Sequence, residues 1–394
     1  MDKKLPKDWK IVKLGEICNF VGGGTPSKNN PDFWNGDIPW ASIKDIKGQY
    51  LTKTSDFITD EGLKKSATNL ANPNEIILAT RINPGRPIIT KIQTSINQDL
   101  KVVRPKIKIH NDFLYYLFLN IENDIIKLSN GTTVLGITLN SLNEIDIHLP
   151  SLETQQAIVS KIEELFSELD KGIEDLKTAQ LQLKTYRQSV LKWAFEGKLT
   201  NEKVKDGELP KCWEIMKFGE VVNNYDGKRR PLSRDVRAKR QGKYRYYGAT
   251  EIVDYINDFL FDGKYLLIGE DGANLVSKSR PLAFIVEGKF WVNNHAHIVQ
   301  TKEFLNIDFL SYYFNSLNLA EYVTGTAQPK LNQANMNKIP IPIPKIEEQN
   351  KIVEELESRL SVADKMEESI AQSLQQAEAL RQSILKKAFS GELV

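Results

Sequence analysis

A stretch of 52 residues occurs twice in this chain of 394 residues. Residues 149–200 and 343–394 align without a gap at an offset of 194, and 20 of the 52 aligned positions are identical. Self-similarity at a fixed offset indicates an internal repeat. Any fold for this chain therefore has to use the repeated segment twice.

Each copy predicts one long helix. Pro150 and Pro344 precede the first turn, where a residue without an N–H is tolerated, and Gly197 and Gly391 lie near the end, where helices commonly stop. About 42 helical residues at ~1.5 Å each extend roughly 63 Å. The alternative is an ordinary amphipathic helix in a globular core, but its usual length of roughly 8–20 residues is much shorter. The pattern therefore favours a spacer.

Apolar side chains recur at heptad spacing in both copies, which predicts a coiled coil. They are fewer and smaller in the second copy, so we expect the second helix to pair with the Leu-rich first helix of the same chain. The residues predicted to form the apolar seam between the helices are Ile158, Ile162, Leu165, Leu169, Leu176, Leu183, Tyr186, Val190 and Trp193 in the first copy, and Ile352, Leu356, Met366, Ile370, Leu380 and Ile384 in the second.

The repeat extends beyond the helices and divides the chain into two similar halves. The segment Leu5–Ile17 matches Leu209–Val221, and Asn130–Pro150 matches Thr324–Pro344. The predicted order is a first globular domain at 1–148, a helix at 149–200, a second globular domain at 201–342 that starts with a short linker at 201–208, and a second helix at 343–394.

Both globular segments predict α+β domains. Runs of β-branched residues bounded by Asn, Gly and Pro indicate strands at 38–43, 75–80 and 101–107, and again at 264–270, 282–288 and 297–300. Helices are expected at Phe113–Ser129 and Phe309–Val323. The order of elements agrees between the halves, but their interiors differ strongly. Two domains that recognise different targets would differ in this way, and so would two domains after neutral drift.

The composition, 41% apolar and 26% charged, is that of a soluble globular protein. The two cysteines, Cys18 and Cys212, have no metal-ligand spacing, and we expect reduced thiols in an intracellular protein. No run approaches ~18 consecutive apolar residues, so the sequence predicts no membrane span.

No catalytic or metal-binding pattern is evident. The Gly-rich Gly22–Lys28 lacks the spacing of a nucleotide phosphate loop. A tight turn and a backbone nest for a DNA phosphate are about equally good interpretations of it. His295 and His297 have no third ligand nearby, so a polar cluster is favoured over a metal site. Glu270 and Asp271 show no paired arrangement for acid–base chemistry. The chain is predicted to be non-catalytic, with no metal and no cofactor of its own.

The strongest charge signal lies between Asp226 and Thr250, which carries nine basic and two acidic residues. Arg-rich loops with interleaved Tyr and Gly suit contacts to phosphates and base edges. The alternative is a solvated loop, and the Arg bias favours DNA. The predicted DNA-binding residues are Lys228, Arg229, Arg230, Arg234, Arg237, Lys239, Arg240, Lys243 and Arg245, with a sparser set of Lys28, Asn29, Lys44, Arg81, Arg86 and Lys91 in the first domain.

Several motifs resemble the specificity subunit of type I restriction–modification systems, and the resemblance covers nearly the whole chain. GGGTPS followed by FWNGDIPWASIKDI (33–46) looks like the start of one target recognition domain. GKYRYYGATEIVDYINDFLFDGKYLLIGEDGANL (242–275) with VNNHAH (292–297) looks like another class of such domain. LPSLETQQAIVSKIEELF and RQSILKKAFSGEL are similar to the central and distal helices of the family.

The resemblance implies two target recognition domains on an intramolecular antiparallel coiled coil, related by a pseudo-twofold axis. Each domain would bind one half of a bipartite site in double-stranded DNA, and the helices would set the gap. Methylation and cleavage would belong to partners: two modification subunits that bind S-adenosylmethionine, and restriction subunits that use ATP and Mg. The implied location is the cytoplasm of a bacterium or archaeon.

Two other classes of function stay open at this point. A protein-interaction scaffold would use the same two modules on a coiled coil without DNA specificity. A self-contained nuclease is disfavoured, because no paired arrangement of carboxylates for acid–base chemistry is evident and no methyltransferase tetrapeptide is present.

Overall fold

The computed structural model describes Pro6 and residues 8–131, 133–201, 203–205, 208–325 and 328–394. The predictions for the other positions, which include parts of the repeated segments and of the linker 201–208, lie outside the described residues. The chain divides into a first unit, Met1–Leu176 with Gln372–Val394, and a second unit, Lys177–Ala371. Both long helices contribute to both units, so this division cuts across the predicted domain boundaries.

The first unit is an α+β domain joined to parts of both long helices. Its elements are β1 Lys10–Lys13, α1 Leu14–Ile17, β2 Cys18–Gly22, β3 Trp34–Ala41, β4 Tyr50–Leu51, β5 Asp56–Ile58, α2 Asp60–Lys64, β6 Asn69–Ala71, β7 Ile76–Ala79, β8 Pro87–Thr90, β9 Thr94–Ile96, β10 Leu100–Pro105, α3 Asn111–Leu128, α4 Leu139–Asn143, β11 Asp146–Leu149 and the start of α5 Leu152–Phe195.

Three sheets organise this unit. A five-stranded sheet has the order β2-β10-β7-β8-β4, a four-stranded sheet has the order β5-β3-β9-β6, and β1 pairs with β11. Every residue of β7 and β8 is buried, which explains why β7 is a continuous apolar run rather than an alternating one. The predicted strands at 75–80 and 101–107 and the helix at 113–129 are confirmed by β7, β10 and α3.

The second unit repeats this plan with a larger sheet. Its elements are β12 Glu214–Lys217, α6 Phe218–Val221, β13 Val222–Asn224, α7 Arg234–Ala238, β14 Gln241–Tyr247, β15 Ile252–Ile256, β16 Phe261–Gly269, α8 Asn274–Ser277, β17 Ala283–Val292, β18 Ala296–Thr301, α9 Ile307–Ser316, α10 Gln333–Met336, β19 Pro340–Ile343 and the start of α11 Ile346–Phe389. The main sheet has the order β13-β18-β16-β17-β14-β15, and β12 pairs with β19.

The helix predicted at 309–323 is shorter than expected. α9 ends at Ser316, where the Ser316 hydroxyl donates to the carbonyl of Tyr313 at 2.6 Å. The Asn318 side chain then accepts from the N–H of Ala320 at 3.1 Å and starts a separate turn. The apolar residues beyond Ser316 therefore do not continue the helix, although their pattern suggested that they would.

The long helices exchange roles between the units. In the first unit the beginning of α5 and the end of α11 join the core of the globular domain, and Phe389 lies 5.1 Å from the ring of Phe113. In the second unit the end of α5 and the beginning of α11 do the same, and Phe195 lies 5.3 Å from Phe309. The two helices are therefore antiparallel, and equivalent contacts recur in both units.

Equivalent ion pairs also link the two helices. Arg187 of α5 contacts Asp364 of α11 at 2.6 Å in the second unit. Arg381 of α11 contacts Asp170 of α5 in the first unit. Arg187 and Arg381, like Asp170 and Asp364, are separated by the repeat offset of 194. One ion pair thus occurs twice, as expected for a duplicated helix that pairs with its own copy.

Burial of the predicted seam is uneven. Ile158, Ile162, Leu183, Val190, Ile352, Leu356 and Ile384 are buried, and Leu165, Leu169, Leu176 and Ile370 are half-buried. The prediction is wrong for Met366 and Leu380, which are more than half exposed, and for Tyr186 and Trp193, which are also exposed.

The physical reason is that the helices pack on the globular domains as well as on each other. A straight helix has 3.6 residues per turn, so its apolar face drifts from a strict heptad by ~20° per repeat. Ala194 and Ala388 are buried in place of their neighbours Trp193 and Lys387. Near the C-terminal end of both helices the buried position is therefore one residue later than the heptad predicts.

Candidate nucleic-acid interface

Loops from distant parts of the chain meet at one edge of the first domain. The N–H of Thr80, directly after β7, donates to the carbonyl of Asp99 at 2.8 Å. The N–H of Ile82 donates to Leu135 at 2.8 Å, and the N–H of Ile137 donates to Thr80 at 2.9 Å. These bonds tie together residues 80–86, 97–99 and 133–137. We call this arrangement, with the adjoining Gly-rich loop 23–28, the loop junction of the first domain.

The second domain contains the same junction at equivalent positions. Glu270 donates from its N–H to His295 at 2.8 Å, Gly272 donates to Pro329 at 3.1 Å, and Leu331 donates to Glu270 at 2.8 Å. The segments involved are 270–280, 293–297 and 328–331. Residues 225–230 follow β13 as 23–28 follow β2, and they complete the loop junction of the second domain.

The Gly-rich loop is a close-packed turn. A Cβ on Gly23 would lie 2.1 Å from the carbonyl oxygen of Asn97, and one on Gly24 would lie 2.6 Å from the backbone of Ala67. The indole N–H of Trp40 donates to the carbonyl of Gly24 at 3.1 Å. These glycines are therefore explained by backbone packing. Their binding of a DNA phosphate stays a prediction, and the exposed Lys28 and Asn29 lie four and five residues after Gly24.

A buried polar cluster supports the junction of the second domain. His297 is 1% exposed, and its Nδ1 lies 2.5 Å from Asp226 Oδ2 while its Nε2 lies 2.7 Å from the carbonyl oxygen of Leu331. The other oxygen of Asp226 accepts from the N–H of Ile298 at 2.9 Å. Burial alone would raise the pKa of Asp226, but the hydrogen bonds from His297 and Ile298 and the charge of Arg229 hold that pKa below its usual value.

Arg229 belongs to this cluster rather than to the surface. Its Nη1 donates to Glu270 Oε2 and to the carbonyl of Ala296, both at 2.7 Å, and its side chain is 14% exposed. Lys330 contacts Glu270 at 3.0 Å from the solvent side. Burial would raise the pKa of Glu270, and the bonds from Arg229 and Lys330 lower it below the usual value. The prediction that Arg229 presents a guanidinium to a phosphate is therefore corrected, because its donors are used inside the domain.

Three further arginines of the basic stretch are held by the domain. Arg237 donates to Asp254 at 2.9 Å and to the carbonyl of Leu232 at 2.6 Å. Arg240 contacts Asp258 at 3.1 Å, and Arg245 donates to the carbonyl of Glu287 at 2.6 Å. Each guanidinium also lies over an aromatic ring, those of Tyr246, Trp291 and Tyr247 respectively. Aromatic residues of the stretch and of β17 therefore help to position these arginines.

The remaining basic residues of the stretch face solvent. Lys228 and Lys243 are exposed and lie over the rings of Tyr225 and Tyr244. The side chains of Arg230, Arg234 and Lys239 are exposed and make no hydrogen bond, ion pair or ring contact to the part of the chain that the structure describes. That these three contact a phosphate stays a prediction.

The sparser set in the first domain is only partly gathered at the junction. Arg81 lies within it, and its Nη1 is 3.2 Å from Asp99 Oδ1. Arg86 ends the same loop but contacts Glu122 of α3 at 3.5 Å. Lys44 contacts Asp56 at 2.7 Å, and Lys91 donates to Asn74 at 3.1 Å, both outside the junction.

Sequence reasoning missed Asp99, Lys330 and the pairing of Asp271 with His295. Position 99 aligns with 295, and position 81 aligns with 271, when the two halves are superposed at the turns after β7 and β16. This equivalence follows from the matching backbone hydrogen bonds, and the divergent interiors conceal it in the sequence. Among the described residues, no group of three or more His, Cys, Asp or Glu side chains is arranged to hold a metal ion. No helix in the described ranges is long and apolar enough to cross a membrane.

A duplicated α+β domain joined to two long helices, with an equivalent loop junction in each copy, defines a class of two-domain proteins built on an internal repeat. The family model described as "Type I restriction modification DNA specificity domain" matches residues 6–178 and again 210–376. The chain belongs to this family.

Known relatives span almost the whole chain. The MjaIX specificity subunit of Methanocaldococcus jannaschii is 27% identical over 86% of this chain and 84% of its own length. The EcoDI specificity subunit of Escherichia coli is 26% identical over 99% of this chain and 90% of its own.

Solved structures share the fold. One chain, from work on complex assembly and conformational transition of the type I R-M system, gives a TM-score of 0.77 at 20% identity and covers 99% of this chain and 100% of its own length. The HsdS subunit from Thermoanaerobacter tengcongensis gives a TM-score of 0.64 at 21% identity and covers 100% of this chain and 99% of its own.

Proposed function

We propose that this chain is the sequence-specific DNA-binding subunit of a type I restriction–modification complex. Each domain would recognise one half of a bipartite duplex target. The observation that carries this proposal is the repeated loop junction, whose backbone bonds are the same in both domains while its side chains differ. A common frame with different exposed groups suits two half-sites of different sequence.

Phosphate contacts would hold each domain on the duplex. Arg230 presents an exposed cation at the second junction and Lys28 does so at the first, and Arg234 and Lys239 present exposed cations at the two ends of α7. Such contacts supply affinity and register, whereas contacts to base edges supply sequence specificity. The arginines held inside the second domain would keep the backbone of the basic stretch in place.

The helix pair would set the spacing between half-sites. Each of α5 and α11 has 44 residues, and their sequence-equivalent ion pairs fix one antiparallel register. Half-sites on one face of B-DNA recur about every 34–36 Å, so a fixed pair of helices would select one spacer length.

Partner subunits would carry out the chemistry. Leu181, Val362 and Met366 are more than half exposed on the helix pair, and Met366 lines a groove with Leu183 and Tyr186. Exposed apolar side chains on paired helices suit helices of modification subunits. Those subunits would bind S-adenosylmethionine, and restriction subunits would use ATP and Mg, so that this chain directs methylation and cleavage without catalysing either.

A salt titration of DNA binding tests the DNA assignment. The assembled complex with Arg230, Arg234 and Lys239 all replaced by Ala should bind duplex DNA more weakly. The plot of the logarithm of the association constant against the logarithm of the salt concentration should become less steep by up to about three. Lys302→Ala is the matched control, because Lys302 is exposed beyond the opposite end of β18. A wild-type complex without salt-sensitive affinity would instead favour a protein-interaction scaffold.

A further inference from the structure

The two loop junctions carry an equivalent contact between a carboxylate and a basic side chain, with the two groups on opposite loops. In the first domain Arg81 lies on the loop after β7 and contacts Asp99, 3.2 Å away on the loop before β10. In the second domain the equivalent of Arg81 is Asp271, and the equivalent of Asp99 is His295. His295 Nδ1 lies 2.8 Å from Asp271 Oδ2 and 3.0 Å from Oδ1. An acid and a basic group have exchanged loops, and the contact remains.

In each pair the basic side chain is the more exposed partner, whichever loop carries it. Arg81 is 50% exposed and Asp99 is 12% exposed. His295 is 49% exposed and Asp271 is 18% exposed. In both domains the basic side chain therefore reaches outward while the carboxylate stays behind it. A pair whose only role was to fasten two loops would not need to keep this arrangement after the exchange.

The carboxylates of Asp99 and Asp271 orient the exposed side chains of Arg81 and His295. Asp99 Oδ2 accepts from Asn97 Nδ2 at 3.0 Å and from Gln98 Nε2 at 3.1 Å, so its other oxygen is directed at Arg81. Both oxygens of Asp271 face His295 Nδ1. An ionised carboxylate only accepts, so Nδ1 carries the hydrogen and Nε2 is left to contact something else. Nε2 has no hydrogen-bond partner within the described part of the chain.

The backbone next to each pair is also unusual. Ile82 directly follows Arg81, is 47% exposed and has φ of +70°. A β-branched residue is strained in this region, which costs stability and is most often retained at functional sites. The equivalent residue in the second domain is Gly272, with φ of +103°. Both junctions keep the same left-handed turn, although only glycine adopts it without strain.

We infer that Arg81 and His295 are the base-contacting residues of the two domains, an inference that rests on the proposed function. The guanidinium edge of Arg81 that faces away from Asp99 suits the O6 and N7 acceptors of guanine. His295 Nε2, with Nδ1 donating to Asp271, accepts from the exocyclic amine of adenine or cytosine. Asp99 and Asp271 are positioning residues, which act through Arg81 and His295.

The test is to determine the methylated motif of a host that carries the complete system, by sequencing its modified sites, for the wild type and for single variants. Arg81→Ala should make one letter of one half-site degenerate, and His295→Ala should do so in the other half-site. In competition binding to duplexes that differ at that letter, discrimination should fall by about 5- to 150-fold. Arg81→Lys, which keeps the charge but not the two parallel donors, should relax the same letter as Arg81→Ala.

Asp99→Asn should make that same letter of the motif degenerate and leave every other letter unchanged. If Asp99 only supported the loop, its replacement would not affect a single letter. Lys108→Ala and Lys302→Ala, exposed beyond the far ends of β10 and β18, should leave the motif unchanged. The inference is overturned if the variants lower methylation at all sites equally, or abolish a whole half-site, with no single letter changed. A wild type without a bipartite motif would instead overturn the proposed function, so the two failures are distinguishable.

Discussion

Arg229 and Arg234 lie five positions apart in the same basic stretch, yet they have different surroundings. The carboxylates of Asp226 and Glu270 surround Arg229, whereas Arg234 begins α7 in solvent. Removing one partner of a buried ion pair leaves uncompensated charge, which costs about 3–5 kcal/mol. Removing an exposed cation usually changes the free energy of unfolding by less than about 0.5 kcal/mol.

Arg229→Ala should therefore destabilise the second domain by about 3 kcal/mol or more, while Arg234→Ala should leave stability unchanged and weaken DNA binding. Urea unfolding of the two variants beside the wild type measures the difference. Equal stability of Arg229→Ala and Arg234→Ala would show that the buried cluster does not hold the junction together.

The sequence indicated that this stretch is basic and suited to DNA, but it did not separate its arginines by role. The amino-acid composition of the stretch is the same whether its guanidinium groups bind a phosphate or a carboxylate inside the domain. The partners of Arg229 and Arg237, Glu270 and Asp254, are distant in sequence and are brought close only by the pairing of strands. The local pattern contains no information about those contacts.

At the scale of elements, Leu356 and Leu380 show where heptad spacing predicts burial and where it does not. Both fit the predicted seam on α11, but Leu356 is fully buried while Leu380 is mostly exposed. Further along α11, Ile384, Leu385, Ala388 and Phe389 belong to the core of the first domain. That contact selects which face of the helix turns inward, and it depends on the globular domain rather than on the helix sequence.

Leu356→Ala should therefore destabilise the protein by about 2–5 kcal/mol, because it removes a fully buried side chain and leaves a cavity. Leu380→Ala removes the same atoms from an exposed site and should cost less than about 0.5 kcal/mol. Chemical denaturation measures the free energy of unfolding of both variants. A similar loss for both would show that the helices pack through a strict heptad interface.

At the scale of the whole molecule, duplication was the most reliable signal in the sequence. It predicted the order of globular segment and helix. The unequal apolar seams predicted the pairing of the helices within one chain, and the runs of β-branched residues predicted the α+β content. It did not predict that each globular domain would complete its core with pieces of both helices, as Phe389 does beside Phe113 and Phe195 beside Phe309. Those contacts join the end of each helix to the other half of the repeat. The sequence of one half alone therefore cannot predict them.

The central claim is that two DNA-recognising domains are held at a spacing set by the helix pair. Its most direct test inserts one heptad into residues 158–190 and one at the matching place in 352–384, followed by sequencing of the methylated sites of a host that carries the variant complex. The account predicts unchanged half-sites separated by a different number of base pairs. Recovery of the original spacer by a correctly folded, methylating complex would contradict it.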